Sequence, residues 1–413
     1  MRKILASTTA LVSVALLLGA GQAAAQAKKE GPIQIGIGGY FMGYFVGVNQ
    51  DTGGPTATQA AQPGYGVRNY GIFRKARIQF DGLTNLDNGV KVGVRVQLRG
   101  EATSTDQIDQ SFLFFDTQFG RVELGKTPSA PNKMFYGAPT PIPGMGANSP
   151  DFLPMALPGQ YNPGFNAASS PSAFINYGAN SDKDEKVTYF TPRFAGFQFG
   201  ASFTPTTCKV GSPTNQTPTG SGTVCGIANG LGTKLIVGKQ NQVFEAGANY
   251  VNSFGPVDAA LYVGFGTSKL DLNTPTSTYR NQQQYGVGGS LVYAGFTLGA
   301  AYRYNNMGIR RGDPVLGDLP DQQQDWQVGL SYAWDQWTVG AQYQHTAARL
   351  KTATGSKAGT DTLDGYSVGA NYLLGPGITL VGGIQYFDLD SYTNLPQNQN
   401  KAWNYLVGTR LEF

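Results

Sequence analysis

Val-Lys-Val-Gly-Val-Arg-Val-Gln-Leu-Arg, residues 90 to 99, sets Val90, Val92, Val94, Val96 and Leu98 in strict alternation with Lys91, Gly93, Arg95, Gln97 and Arg99. Successive side chains of an extended strand point to opposite faces, so one face is hydrocarbon and the other cationic. The apolar face of a soluble sheet must meet a second apolar layer. Here the same alternation recurs to the last residue, and no helical pattern exists to cover it. The arrangement that satisfies both faces is a sheet closed on itself, with hydrocarbon outward into lipid and polar groups inward onto water all the way round. Such an object is a channel.

Further segments repeat the pattern. Trp326, Val328, Leu330, Tyr332 and Trp334 share one face, as do Phe296, Leu298, Ala300, Tyr302 and Tyr304, and Tyr366, Val368, Ala370, Tyr372 and Leu374. Aromatics sit at the ends of several of these faces, where amphipathic rings meet the two membrane–water interfaces. The connections alternate in length. Short ones fall at Leu83–Gly89, Phe119-Gly120, Phe194–Gly196, Asn252–Pro256, Ala294-Gly295, Asp335-Gln336 and Gly375–Gly377. Long polar ones fall at Asn49–Asn69, Gly100–Gln107, Thr127–Lys186, Thr204–Thr233, Ser268–Gln283, Asn306–Gln324, Ala347–Asp361 and Leu389–Lys401. This predicts an all-β transmembrane antiparallel β-barrel of about sixteen strands, with short periplasmic turns and long extracellular loops.

The bulk composition agrees. The 413 residues include 57 glycines and 12% aromatics but only 14% charged residues, which suits strands and turns. Met1 to Ala25 carry Arg2 and Lys3, an apolar run from Ala10 to Leu18, and Ala23-Ala24-Ala25. A basic start, a short apolar segment and small residues before the cut mark a signal peptide over 1–25, with cleavage after Ala27 the alternative. The domain is then 26–413. No cysteine stands directly after the apolar segment, which argues against a lipid anchor, and beyond it no run of about 18 apolar residues predicts a transmembrane helix. Loss of Arg2 and Lys3 lowers the formal net charge of +4 by two, a balance that does not call for nucleic acid. Cys208 and Cys225 are the only cysteines, and export to an oxidising compartment makes them a candidate disulfide. Closing that loop would contribute about 3 kcal/mol in the chain-entropy model, the alternative being two reduced thiols in a loop. Two cysteines without a nearby histidine make a poor metal site; neither metal nor cofactor is expected.

The final strand places Trp403, Tyr405, Val407, Thr409, Leu411 and Phe413 on one face. Ending on Phe413, it resembles the C-terminal signal that the barrel-assembly machinery reads in outer-membrane proteins. At this point the chain resembles the general diffusion porins of Gram-negative bacteria, particularly the alphaproteobacterial branch. Phe-Gly-Arg-Val-Glu-Leu-Gly-Lys, Phe119 to Lys126, is similar to the turn and fifth strand before that family's constriction loop. Lys-Val-Thr-Tyr-Phe-Thr-Pro-Arg-Phe-Ala-Gly-Phe-Gln-Phe, Lys186 to Phe199, is similar to the sixth strand, turn and seventh strand after it. The resemblance implies a sixteen-stranded barrel, a homotrimer in outer-membrane lipid and lipopolysaccharide, and a third long loop, 127–186, folded inward as an eyelet.

Opposite that loop a basic wall is expected. Lys75, Arg77, Gln79 and Asp81 share one face, and a turn centred near Leu86 sets Arg77 opposite or one pair away from Arg95, with Lys75 near Gln97 and Arg99. Like charges across a sheet are destabilising unless something compensates them. In the family the compensating acids come from the constriction loop, with Asp151 first here and Asp182, Asp184 and Glu185 behind it. Cations facing acids across a narrow aqueous neck create a transverse field that sorts solutes by charge, dipole and size. His345 is the only histidine and lies on an apolar parity, so a Ser-His catalytic arrangement has little support. A passive, non-enzymatic channel for small hydrophilic solutes and ions is the expectation. The alternatives are a sugar- or phosphate-selective channel and, from another class, a barrel adhesin or enzyme.

Overall fold

No backbone N–H or C=O within a bilayer finds water, so each must bond within the wall. The computed structural model meets that demand with sixteen antiparallel strands closed into one barrel. It describes residues 33–52, 64, 66–101, 107–148, 151, 153–156, 181–207, 240–270, 278–312, 318–393 and 395–413. The expected signal peptide and both cysteines lie outside the described residues.

In chain order the elements are β1 (Gln34–Gln50), β2 (Tyr70–Asn85), β3 (Lys91–Arg99), β4 (Ile108–Thr117) and β5 (Gly120–Lys126), a one-turn helix α1 (Ala130–Met134), then β6 (Glu185–Phe190), β7 (Phe197–Thr206) and β8 (Gln240–Phe254). They continue with β9 (Val257–Leu270), β10 (Gln282–Tyr293), β11 (Phe296–Asn305), β12 (Leu319–Trp334), β13 (Trp337–Lys351), β14 (Lys357–Gly375), β15 (Ile378–Asp390) and β16 (Asn400–Glu412). Every strand pairs with its neighbours in sequence. β1 and β16 complete the ring from Tyr40 opposite Glu412 to Gln50 opposite Ala402. Phe413 fastens the seam: its N–H donates to the Gly39 carbonyl at 3.1 Å, and its carbonyl accepts from the Gly39 N–H at 2.9 Å.

The outward parity is the one the alternation predicts. At the long-loop rim Tyr285 stacks on Tyr304 at 4.9 Å between centroids, and contacts of 4.7–4.9 Å join Trp326 to Tyr343, Tyr343 to Tyr366 and Tyr386 to Trp403. At the short-turn rim Phe197 packs on Tyr250, Phe296 on Tyr332 and Trp337 on Tyr372. The wall is uneven in height: β5 and β6 have 7 and 6 residues, β14 has 19. The long loop expected at Ala347–Asp361 is therefore largely strand. Thr346 to Leu350 stay in register with Leu363 to Gly359, and after a register shift Lys351 pairs with Lys357, because the ladder bonds hold above the level where the apolar alternation ends.

The interior departs from expectation. Polar groups do not line it all the way round: Met42, Tyr44, Val46 and Val48 of β1 point inward and are buried with Val381, Phe387, Leu389, Ala402 and Leu406 of β15 and β16. What covers them is the third long loop, 127–184, whose Ile142, Met145, Ala147 and Met155 join the same cluster, with Leu153 packed beside it. An apolar wall is stable there because another apolar surface, not water, faces it. Close approach of the loop needs wall positions without side chains. A Cβ at Gly299 would stand 2.2 Å from the Gly137 carbonyl oxygen, and one at Gly383 would stand 2.3 Å from Ile142.

Ile142→Ala should therefore lower stability by about 2–5 kcal/mol, the range for deleting a buried aliphatic side chain. A fall in the urea midpoint of the refolded barrel is the expected result, and an unchanged midpoint would mean the loop is not seated in that core.

Candidate functional site

The third long loop crosses the inner wall strand by strand. The Ala130 N–H donates to the Ser202 hydroxyl of β7 at 2.8 Å, and Asn249 of β8 donates to the Met134 carbonyl at 3.3 Å. Phe135 meets the edge of Tyr262 on β9 at 5.4 Å between centroids. Farther on, Asn371 of β14 donates to the Pro141 carbonyl at 3.0 Å, and the Tyr44 hydroxyl of β1 donates to the Pro143 carbonyl at 2.7 Å. The neck of the loop is tied by Lys186, a buried ammonium that donates to the carbonyls of Thr127 at 2.5 Å, Asp182 at 2.8 Å and Asp184 at 2.6 Å. One cation thus gathers both ends of a long excursion. Glu185 and Lys186, expected within the loop, already belong to β6.

From the far side of this crossing Asp151 returns to the wall and forms an ion pair with Lys75 of β2. The Asp151 N–H donates to the Gly144 carbonyl at 2.7 Å, which holds the turn presenting its carboxylate. The remaining cations lie along β2 and β3 in a register different from the expected one. Arg77 stands opposite Arg99, and Arg95 stands opposite Asp81. The turn is centred near Asn88 instead of Leu86, since β2 runs on to Asn85 and pairs it with Lys91. The outcome is electrostatically sensible. Arg95 grips Asp81 through Nε at 2.6 Å and Nη2 at 3.0 Å, a two-point bond that orients both groups.

Arg77 and Arg99 are compensated by two acids that the alternation does not reveal. Asp109 accepts from Arg99 Nε at 2.6 Å, from Lys183 at 2.6 Å and from Arg77 Nε at 3.3 Å, and its side chain is 1% exposed. By simple parity Asp109 shares the outward face of Leu113 and Phe115. A bulge opposite Gln97 and Leu98 turns it inward. Glu101, beyond the end of β3, pairs with Arg77 and accepts the Ala76 N–H at 2.9 Å. Burial alone would raise the Glu101 carboxyl, but the Ala76 N–H and the Arg77 guanidinium hold it below the usual carboxylate range.

Of the other expected acids, Asp182 and Asp184 lend main-chain carbonyls to Lys186, and Glu185 sits in register with Lys126 on the outward parity of Val187 and Tyr189. It is Lys183, between them, that reaches the wall. A second charged group completes the enclosure: Lys133 of α1 pairs with Glu123 of β5, which also accepts from Arg121 at 2.8 Å. Arg121 lies 3.8 Å from the centroid of the inward ring of Phe114. Cations and carboxylates are thus interleaved along β2 to β5, the stretch of wall that adjoins the apolar face of β1 covered by the loop.

A closed barrel whose third loop is folded against its inner wall defines a membrane channel and not an enzyme. A family model for Gram-negative porins matches residues 7–392, and the chain belongs to that family. The family and the barrel place it in the outer membrane. An uncharacterized protein of Rickettsia conorii is 24% identical over 372 residues, covering 79% of this chain and 81% of the relative. Among solved structures, an anion-selective porin from Comamonas acidovorans is similar in fold, with a TM-score of 0.56 at 15% identity over 92% of this chain and 100% of that one. The trimer form of OmpT, an outer membrane protein of Vibrio cholerae, gives a TM-score of 0.56 at 13% identity over 92% and 99% of the two chains.

Asp109→Asn should leave three cations sharing a neutral amide. The anion-to-cation permeability ratio is expected to rise about twofold, as for a unit charge removed several ångströms from an ion in water. The reversal potential across a salt gradient measures it; no change would mean Asp109 lies off the ion path.

Proposed function

We propose that the protein is a passive, water-filled diffusion channel for small hydrophilic solutes and ions, constricted where the wall of Lys75, Arg77, Arg95 and Arg99 faces the third long loop. The observation that carries this reading is the Lys75–Asp151 ion pair, which joins wall and loop inside the barrel. The long-loop rim faces the exterior, and the short turns, the start of β1 and the end of β16 face the periplasm. Phe413 serves as the assembly signal, consistent with its place at the seam between β1 and β16. Three copies would assemble in outer-membrane lipid, a reading supported by the trimer form of the Vibrio outer membrane protein.

The alternation of charge supports general diffusion over a dedicated anion trap. Each wall cation already has a fixed carboxylate partner: Asp151 for Lys75, Glu101 and Asp109 for Arg77, Asp81 for Arg95 and Asp109 for Arg99. Paired charges leave short dipoles along the wall instead of several uncompensated cations to hold one anion. Water-coated polar solutes can exchange hydration for these groups, whereas bulky apolar solutes must displace the ordered water.

Refolded protein in a planar bilayer under a salt gradient is the test. Conductance steps arriving in threes would support the trimer. The double substitution Arg77→Ser with Arg95→Ser removes two unit charges and should shift permeability toward cations by about fourfold on the same electrostatic grounds. An unshifted reversal potential would remove these residues from the constriction, and absence of conductance would remove the channel itself.

A further inference from the structure

The turn between β6 and β7 carries a cation that the constriction does not use. Thr191, Pro192 and Arg193 lead into a two-residue turn at Ala195 and Gly196, whose φ values are 47° and 88°. Positive φ at both positions continues the twist of a hairpin. Reciprocal 2.8 Å bonds between Phe194 and Phe197 close the turn, and the next bond runs from the Thr191 N–H to the Phe199 carbonyl at 2.9 Å. Pro192 and Arg193 therefore stand together against Gln198 alone. Such a bulge re-aims a side chain, and proline tolerates it because it has no N–H to place. By strict alternation Arg193 would share the outward face of Tyr189 and Thr191. The bulge brings it to Gln198 instead, on the inward side of β7 with Gly200 and Ser202.

Neutral groups alone hold Arg193 there. Its Nη1 donates to the Gly196 carbonyl at 2.6 Å, and its Nη2 donates to Asn249 Oδ1 at 2.9 Å and to Gln198 Oε1 at 3.2 Å. Asn249 is buried on the inner face of β8 and donates in turn to Met134 of the third long loop, so the guanidinium lies below that loop. Tyr136 of the same loop is near enough to feel its charge. Arg193 is nevertheless exposed, and it makes no ion pair among the described residues. Glu245, the acid on the inner face of β8, stands four residues from Asn249, about 14 Å along the strand. Asp258 of β9 accepts from the Ser253 hydroxyl at 2.5 Å. Arg121, opposite Phe190 on β5, is by contrast bound by both Asp116 and Glu123.

We infer that Arg193 is a specificity-determining residue of the channel, a fixed and uncompensated positive charge at its short-turn mouth that draws small anions and repels cations. The inference rests on the channel reading. A cation bound to a carboxylate acts at a distance as a dipole, whose potential falls faster than that of a single charge, so Arg193 outreaches the pairs of the constriction. The bonds to Gly196, Gln198 and Asn249 fix its position without reducing its charge. They also leave its Nε–H and one Nη1–H for a passing anion. A charge fixed at a narrow mouth raises the local concentration of counter-ions, and salt screens the effect.

Reversal potentials of full-length refolded protein in a neutral planar bilayer provide the test. They are read in KCl gradients at about 0.01–0.1 M, where screening extends over about 10–30 Å, and near 1 M, where it extends over about 3 Å. Arg193→Gln should lower the anion-to-cation permeability ratio about twofold in dilute salt and leave it unchanged near 1 M. Arg193→Lys keeps the charge while losing most of the bonds, and should hold the wild-type ratio at both salt levels. Gln198→Glu retains the arginine but gives it a carboxylate partner. It should lower the dilute-salt ratio as Arg193→Gln does, which covers the case in which loss of the arginine prevents refolding. A fall in thermal midpoint for Arg193→Gln with an unshifted ratio would make the residue a brace for the turn and overturn the inference. So would Arg193→Lys falling as far as Arg193→Gln, or a shift of equal size at both salt levels. Wild-type barrels that do not conduct would overturn the channel reading itself, whereas conducting barrels with unshifted ratios would overturn the role of Arg193 alone.

Discussion

A strand edge in hydrocarbon is not tolerable, and that constraint governs this molecule. Each wall amide bonds to a neighbouring strand, and the ring is complete only because β16 reaches β1. Closure forces alternate residues to opposite sides of a thin shell, one in lipid and one enclosed. Once the outer side is committed to Val, Leu, Phe and Trp, everything that distinguishes this channel must be built on the inside or at the rims.

The inside is divided between two kinds of surface. On β1, β15 and β16 the enclosed face is apolar, and the third long loop buries it in a packed core. On β2, β3 and β4 the face is charged and interleaved. Lys186 gathers the two ends of the loop at its neck, and the Lys75–Asp151 pair ties its far turn to the wall. The lumen narrows by filling with hydrocarbon over β1, β15 and β16, and the fixed charges lie on the adjoining strands β2 to β4. Water in that space is confined between a rigid wall and a loop seated by side-chain packing, so the field of the ion pairs acts at a defined position.

Bulges do disproportionate work in placing charge. The bulge on β4 turns Asp109 from the lipid side to the lumen, where it binds Arg99, Lys183 and Arg77. Another on β12 provides Asp321 to hold Arg349 and Lys351 at the outer rim. In both places one extra residue breaks a strict alternation and supplies a carboxylate that organises several cations.

The barrel, its strand number, its outward face and the inward parity of Lys75, Arg77, Arg95 and Arg99 were legible in the sequence, because a period of two is a local property of an extended chain. The charge partners were not. Pairing Arg77 with Arg99 and Arg95 with Asp81 depends on where one turn is centred, and Asp109 depends on a bulge; each shifts geometry by whole residues for small differences in local energy. The apolar stretch from Tyr40 to Val48, hydrophobic on both parities apart from its glycines, carried a trace of the internal core, and the inward-folded loop was expected as its kind of cover, but nothing local said which strands the loop would lie against. Only the tertiary structure brought Ile142 and Met145 onto that wall, since contacts between segments remote in sequence are selected by shape and burial after the ring has closed.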